Sequence, residues 1–393
     1  MSYLIYTIPL SFCAYYLYKR FTNISFNKKN EDYVVLKDDD LYHYMRKEKG
    51  YVCVPYYFNN INSETKQIFL DRIKNICIPK YLVCRLEKTD TYNTLKQTKM
   101  NDDELLDEIT LNGYIPISHK DILLKTHASK LCLSFCIDTE KNMFWVCWNH
   151  AIMDGVRVID LLLDITDKIK QPKINLIKNN WYMTLFSVFN LLINLKSLFV
   201  KHDGIKIDME SDKTYTFSIP NKIIEERRDS ENTSFMTAYQ SIILEKFDIC
   251  LKGNICVGTI VAAENVNSFN SLGCVPYFIN LCDSNKNLSK LILSKLKNNR
   301  FFAMLTTNRF ITNILSKFLK RKIDILFSGC TVAKEPLTVN NSKCVNCYGY
   351  VPYHSAPIYV FSCKIDDKVY VSIGIRNEKI YQHLKKYNWN LIE

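Results

Sequence analysis

The chain has 393 residues, of which 47% are hydrophobic and 13% aromatic, so it can bury a large core and wholesale disorder is excluded. Its 15 cysteines are scattered through apolar runs, which indicates reduced core residues in a cytosolic compartment rather than a secreted disulfide framework. Cys344 and Cys347 form the one Cys-x-x-Cys pair, and no second pair follows at zinc spacing. A structural zinc site at this pair is the less favoured alternative.

The net charge of +12 is concentrated in two tracts of the sequence. Residues 168–202 contain six Lys and no acidic residue, and residues 284–323 contain ten Lys or Arg and no acidic residue. Both tracts interleave these charges with long apolar stretches, a pattern typical of amphipathic helices at a lipid surface rather than of a nucleic-acid groove. Buried helices whose lysines reach solvent along their edges explain the same pattern, so both interpretations stay open.

The N-terminus also points toward a membrane. Residues 3–18 are uncharged, aliphatic and aromatic, and Lys19 and Arg20 follow at once. The stretch lacks the charged start and the small-residue cleavage site of a secretory signal. We therefore predict an uncleaved anchor within residues 1–22, with the body of the protein on the cytosolic side. A helix docked on the protein's own core is the alternative.

The rest of the chain predicts alternating helices and strands. The predicted helices are residues 60–78, 101–109, 156–169 and 234–247. The predicted strands are residues 81–85, 131–137, 143–148, a strand from about residue 214, 254–262, 275–281, 324–332, 358–365 and 368–375. Residues 138–142 and the pair Asp366-Asp367 indicate two hairpin turns. The fold class is therefore α/β, with a first half over residues 31–170 and a second half over residues 213–393, joined by a basic apolar linker over residues 171–212.

The residues most indicative of chemistry lie between the predicted strand at 143–148 and the helix after it. His150 stands at the end of this hydrophobic strand, where a polar ring is costly unless it is hydrogen-bonded or used. Asp154 lies one helical turn further on, and Gly155 would allow the close approach or unusual dihedral of a strand-to-helix turn. A lone histidine is ordinarily a satisfied core residue, and its position at a strand end is what favours a functional role.

This segment, His150-x-x-x-Asp154-Gly155, resembles the signature of the chloramphenicol acetyltransferase-like superfamily of acyl-CoA-dependent acyltransferases. The sequence is most similar to the wax ester synthase/diacylglycerol acyltransferase branch. Residues 259–278 resemble its strand and leucine-glycine-asparagine turn, with Cys274 in the asparagine place. Residues 327–336 resemble its serine-asparagine strand and loop, with Gly329 in the asparagine place.

Two departures from the family pattern accompany these matches. Many members carry two adjacent histidines, and the first of them is Asn149 here. The asparagine-aspartate pair of wax ester synthases corresponds to Thr233-Ser234. These departures leave the subfamily open.

The resemblance implies two similar mixed-sheet α/β halves with a central tunnel, acyl-CoA as co-substrate, and no other cofactor or metal. It implies that His150 is the general base, since an ordinary imidazole is largely neutral at cellular pH. It also implies that Asp154 braces the turn through an arginine, for which Arg85 is the predicted partner. Ser328 is the predicted donor to the oxyanion of the intermediate.

Beside the histidine, Asn149 and Gly155 are assigned to the substrate-binding surface. The leading expectation is a membrane-associated acyl-CoA:alcohol O-acyltransferase with a lipid acceptor, a cytoplasm-facing body and no nucleic-acid partner. Transfer of a short acyl group to a soluble alcohol or amine is one alternative. A catalytically silent relative that binds lipid or a partner protein is another.

Overall fold

The computed structural model describes residues 33–35, 50–80, 86–88, 94–97, 101–111, 114, 116–150, 152–167, 204–209, 213–247, 251, 253–262, 272–281, 287–300, 323–333, 336–349 and 356–386. The helices in these segments are α1 (Ser63–Arg72, extended by a π-helical segment, Ile73–Cys77, and a last turn, Ile78–Lys80), α2 (Asp102–Ile109), α3 (His119–Ala128), α4 (Gly155–Ile165), α5 (Asn221–Glu231), α6 (Phe235–Phe247), α7 (Leu288–Asn299) and α8 (Glu378–Lys386). The strands are β1 (Tyr33–Val35), β2 (Tyr51–Phe58), β3 (Leu86–Lys88), β4 (Thr94–Gln97), β5 (Leu133–Asp138), β6 (Met143–Asn149), β7 (Lys213–Pro220), β8 (Asn254–Ala262), β9 (Leu272–Asn280), β10 (Ile325–Ala333), β11 (Thr338–Val339), β12 (Ser342–Cys347), β13 (Ile358–Ile365) and β14 (Lys368–Ile375).

Two large sheets organise these elements. The first has five strands in the order β11-β12-β2-β6-β5, and the second has six in the order β7-β14-β13-β10-β8-β9. A small sheet has the order β1-β4-β3. The second sheet is mixed, because β10 runs parallel to both β8 and β13. In the described strands of the first sheet every pairing is antiparallel, so the predicted mixed sheet in the first half is wrong while the α/β class with two sheets is confirmed.

Strands β11 and β12 connect the two halves of the sequence. They follow β10 in the chain, yet β12 pairs with β2, where Cys344 lies opposite Phe58 and Cys347 opposite Tyr56. Asn59, just after β2, also accepts hydrogen bonds at its Oδ1 from Lys343 N and Ser342 Oγ (2.8 and 3.1 Å). Residues late in the sequence therefore complete the sheet that carries β6.

Two apolar cores lie on either side of β13. Its side chains alternate as those of a strand must, with Ile358 and Val360 in the core of the second sheet and Tyr359 and Phe361 in the core of the first. In the first core, the fully buried ring of Phe69 on α1 stacks on Phe144 of β6, with ring centroids 4.5 Å apart. β13 thus separates the two cores and contributes side chains to both.

Most predicted elements are confirmed within a few residues. The hairpin between β5 and β6 turns at residues 138–142, and Asn142 has the left-handed φ of 53° that such a turn needs. The strands β13 and β14 have the predicted bounds, with Asp366 at φ 54° in the turn between them. Asn101 accepts a hydrogen bond from Asp103 N and caps α2 as expected. Nine of the described elements were not predicted from the sequence, namely β1, β2, β3, β4, α3, α5, β11, β12 and α8.

Several predictions concern residues outside the described segments. These are the anchor at residues 1–22, the strand at residues 81–85 with Arg85, the basic tract at residues 168–202 and most of the tract at residues 284–323. Among the helices that the structure describes, none combines the length and apolar character of a membrane span. The predicted burial of the cysteines is confirmed, since nine of the ten cysteines described are buried.

Candidate active site

His150 lies in the turn that joins β6 to α4. Its backbone N–H donates to Gly50 O (2.8 Å), which prolongs the ladder between β6 and β2 by one step. Next to it, Asn149 N donates to Cys132 O (2.8 Å), and Ile152 N donates back to Asn149 O (3.2 Å) and closes the turn. The residue as a whole is half-buried, so part of its surface is exposed. This is the predicted position at the carboxyl end of a buried strand.

Asp154 is the N-cap of α4. Its carboxylate is fully buried, and Oδ1 accepts a hydrogen bond from the backbone N–H of Arg157 (3.0 Å). The backbone oxygen of Asp154 accepts the first helical bond, from Val158 N (3.0 Å). An aspartate at this position also favours the positive end of the helix dipole. Asp154 therefore fixes the start of α4 and, four residues back along the chain, the turn that carries His150.

We expect replacement of Asp154 by alanine to lower the free energy of unfolding by at least about 1–2 kcal/mol, because the cap is lost. Asp154→Asn keeps an oxygen that can accept from Arg157 N and should lose less. Urea unfolding of both variants beside the unaltered protein measures the difference. Equal stability of Asp154→Ala and the unaltered protein would contradict the bracing role.

Gly155 does not have the backbone feature that was predicted to require glycine. It is the first residue of α4, it is not among the glycines with a left-handed φ, and a Cβ placed on it would meet no atom within 4 Å. The expected unusual dihedral or close approach is therefore wrong in the described structure. Its assignment to the substrate surface stays a prediction, as does that of Asn149, which is buried to 4% exposure.

Ser328 lies on β10, at the boundary between the two cores. Its neighbours Ile325 and Phe327 point into the core of the second sheet, whereas Leu326 packs against the core of the first. Because side chains alternate along a strand, Ser328 shares the side of Leu326 and faces the first sheet. Helix α4, which begins just after His150, contacts β10. The helix that follows His150 therefore packs against the strand that carries Ser328.

Close packing explains why the residue after Ser328 is a glycine. A Cβ on Gly329 would lie 2.6 Å from Ser362 Oγ of the neighbouring strand β13. An asparagine at this position, as the family pattern has, would require Ser362 to move. The departure at Gly329 therefore reflects local packing against β13.

A second close contact lies beside the same strand. A Cβ on Gly349 would be 2.3 Å from Cδ1 and from Cε1 of Phe361, so the glycine backbone lies directly against that ring. Phe361 is buried to 9% exposure and lies opposite Ser328 in the parallel pairing of β10 and β13. Gly349 was not singled out from the sequence, yet its backbone lies against the ring next to Ser328.

The other departures have structural roles in the second half. Ser234 Oγ accepts from Thr237 N (3.3 Å) at the start of α6, and Thr233 Oγ1 bonds Ser289 Oγ (3.2 Å) on α7. Burial raises the pKa of the Cys274 thiol to about 12, so it is a neutral group on β9. The hydrogen bond between Thr233 and Ser289 links the start of α6 to α7.

Trp148 was not singled out from the sequence, because an apolar residue in a buried strand carries no signal of function. It is two residues before His150 on β6, so both side chains leave the same face of the strand. The rings meet edge to face, with centroids 6.4 Å apart and planes at 62°. Trp148 thus lines the site from its buried side, with 3% of its surface exposed.

Comparison with protein-family models gives no match to the chain, and comparison with curated proteins gives none either. Solved structures do match. The wax ester synthase/diacylglycerol acyltransferase from Marinobacter aquaeolei VT8 has a TM-score of 0.53 at 10% identity, over 90% of this chain and 96% of that one. Polyketide synthase associated protein 5 from Mycobacterium tuberculosis has a TM-score of 0.57 at 10% identity, over 89% and 95% of the two chains.

A third match is a condensation domain. A mutant of the starter condensation domain of rhizomide synthetase, in complex with C8-CoA and Leu-SNAC, has a TM-score of 0.57 at 7% identity, over 91% of this chain and 93% of that one. At such identities the likeness shows the fold alone. The chain has the fold that wax ester synthases and condensation domains share, over nearly its whole length.

Proposed function

We propose that this protein transfers an acyl group from a CoA thioester to the hydroxyl of an alcohol, with His150 as the general base. The observation that carries the proposal is the placement of His150. The sheet holds its backbone at the turn before α4, Asp154 caps α4, and α4 contacts β10, the strand of Ser328. The fold supports the same reaction class, because the matched wax ester synthase/diacylglycerol acyltransferase is named as an acyltransferase.

The proposed reaction needs no covalent intermediate on the protein. The imidazole of His150 accepts the proton of the alcohol as the alcohol oxygen attacks the thioester carbonyl carbon. The carbonyl electron pair moves to its oxygen, and the new carbon–oxygen bond completes a tetrahedral intermediate. When the intermediate collapses, the carbon–sulfur bond breaks and the imidazolium returns the proton to the CoA thiolate. Ser328, on β10, is the proposed hydrogen-bond donor to the oxyanion.

We propose further that the acceptor is a lipid alcohol and that the protein works at a membrane surface with its body facing the cytoplasm. Helix α7 supports this, because it carries Lys290, Lys295 and Lys297 with no acidic residue, and Leu291 keeps 37% of its surface exposed. Basic and apolar side chains on one helix suit an anionic lipid surface. The names of the matched proteins support an acyl-CoA donor, since one is a wax ester synthase/diacylglycerol acyltransferase and another was solved with C8-CoA.

The test is acyl transfer by the full chain, with acyl-CoAs of several chain lengths offered against long-chain alcohols, diacylglycerol and small alcohols or amines. Mass spectrometry of the acylated product is the readout, because 15 cysteines would compete with released CoA for a thiol dye. We expect a neutral ester of a lipid alcohol. A product made only from soluble acceptors would favour the short-acyl alternative. No product from any pair would contradict acyl transfer and favour a silent lipid- or protein-binding relative.

A further inference from the structure

Two tryptophans on β6 are buried with an unused hydrogen-bond donor. Trp145 is 4% exposed and Trp148 is 3% exposed. Neither indole Nε1–H has a hydrogen-bond acceptor within the part of the chain that the structure describes. Buried polar groups are nearly always hydrogen-bonded, so each of these donors is an exception that requires an explanation.

The cross-strand neighbours of Trp148 offer its N–H no acceptor. Val52 lies opposite it on β2, and Leu133 lies opposite it on β5. Both are buried aliphatic side chains that cannot accept a hydrogen bond. Trp148 therefore has an aliphatic neighbour on each adjacent strand, and its ring meets the imidazole of His150, at 6.4 Å between centroids.

The two tryptophans differ in their surroundings. They are three residues apart on one strand, so they point to opposite faces of the sheet. Trp145 packs edge-on against His119 of α3, with centroids 5.0 Å apart, on the face away from His150. The unused donor alone does not identify a functional group, and the contact with His150 is what distinguishes Trp148.

From this arrangement we infer that Trp148 is a further catalytic residue, whose indole N–H donates a hydrogen bond to the oxygen that gains negative charge in the tetrahedral intermediate. The inference rests on the proposed acyl transfer. An indole N–H is a donor only, and it is worth most to an oxyanion in a site with little water. A rigid ring packed between aliphatic side chains holds that donor in place before the charge develops. No proton leaves Trp148, because the alcohol proton passes to His150 and then to the thiolate.

Replacement of Trp148 by phenylalanine, with Trp145→Phe as the matched control, tests this. Both variants shorten a buried aromatic ring on the same strand and remove a donor that bonds no described residue, so both should lose similar stability. We expect Trp148→Phe to lower kcat by about 10²-fold with KM changed less than about threefold, and Trp145→Phe to keep kcat within about threefold. The pH profile of Trp148→Phe should keep its shape, because the base is untouched.

If Trp148→Phe does not fold, site-specific incorporation of 3-benzothienylalanine at position 148 keeps the ring shape and replaces the N–H by sulfur. Transfer by either Trp148 variant at the rate of Trp145→Phe would overturn the inference while leaving acyl transfer intact. A raised KM with unchanged kcat would also overturn it, since the N–H would then bind the ground state. Transfer that is absent from the unaltered protein, or that survives in His150→Ala, would instead contradict the proposed function.

Discussion

Replacing His150 with alanine should lower kcat for acyl transfer by about 10³-fold, because a positioned general base contributes about 10²–10⁴-fold. The fold should survive the change. The hydrogen bond from residue 150 to Gly50 O is made by the backbone N–H, which alanine keeps. Product formation by mass spectrometry under saturating acyl-CoA, with the unfolding temperature measured in parallel, checks both statements.

A second histidine provides the control for this variant. His119 packs against Trp145 on the opposite face of β6, so His119→Phe preserves a ring there and leaves the site unchanged. We expect His119→Phe to retain transfer near neutral pH. Equal losses in His119→Phe and His150→Ala would mean that the sheet was disturbed in both, and the assignment of His150 as base would fail.

The same control is needed for the pH dependence. Transfer should fall as the pH drops, since a protonated imidazole cannot accept the alcohol proton. Burial lowers the pKa of His119 from 6.5 to about 4, so between these values the unfolded chain binds a proton that the folded protein does not. The free energy of unfolding therefore falls by about 2–3 kcal/mol as the pH drops from 6.5 to 4. In His119→Phe this acid loss of stability should shrink, while the loss of activity that is due to His150 should remain.

The sequence predicted the region of His150 well because local patterns determine it. A hairpin turn at residues 138–142, a buried strand and an amphipathic helix are each visible within a dozen residues, and Asp154 lies where an N-cap belongs. The brace through an arginine is implied by the family resemblance, whereas the hydrogen bond from Arg157 N to Asp154 is local. Which side chains line the site from elsewhere in the chain does not follow from the local pattern.

The strands that were not predicted from the sequence were missed for physical reasons. β2 is buried along nearly its whole length, so it lacks the alternation that marks a half-exposed strand, and it contains Pro55. The proline is tolerated because the pairing of β2 with β12 covers only residues 56–58, so it lies beyond that ladder. Apart from β11, the strands of the sheet that β12 joins lie about 200 residues or more earlier in the sequence, and no periodicity encodes such a partner.

The residues around the site were missed for a related reason. Gly349 matters because Phe361, on another strand, lies against it. Trp148 has a buried N–H without an acceptor among the described residues, and its neighbours Val52 and Leu133, from two other strands, provide none. Both properties are relations between segments that are distant in the sequence. Composition and spacing cannot reveal them.

Replacing Gly349 with alanine should lower the free energy of unfolding by about 3 kcal/mol, because the new methyl group would overlap the buried ring of Phe361 at 2.3 Å. The ring has little room to yield. Ser372 lies opposite it on β14 and Ser328 opposite it on β10, so it is enclosed by strands on both sides. Urea unfolding gives the change in stability, and Gly155→Ala is the matched control for stability alone, since a methyl group there meets nothing within 4 Å.

A double-mutant cycle separates this overlap from a general intolerance of alanine at position 349. Phe361→Leu shortens the ring and should itself cost stability through lost packing. Combined with Gly349→Ala, it should cost clearly less than the sum of the two single changes, because the leucine leaves room for the methyl group. Additive losses would show that the contact between Gly349 and Phe361 does not set the position of the ring. If the contact does set it, Gly349→Ala should also slow transfer in the fraction that folds, since the displaced ring lies next to Ser328, the proposed oxyanion donor.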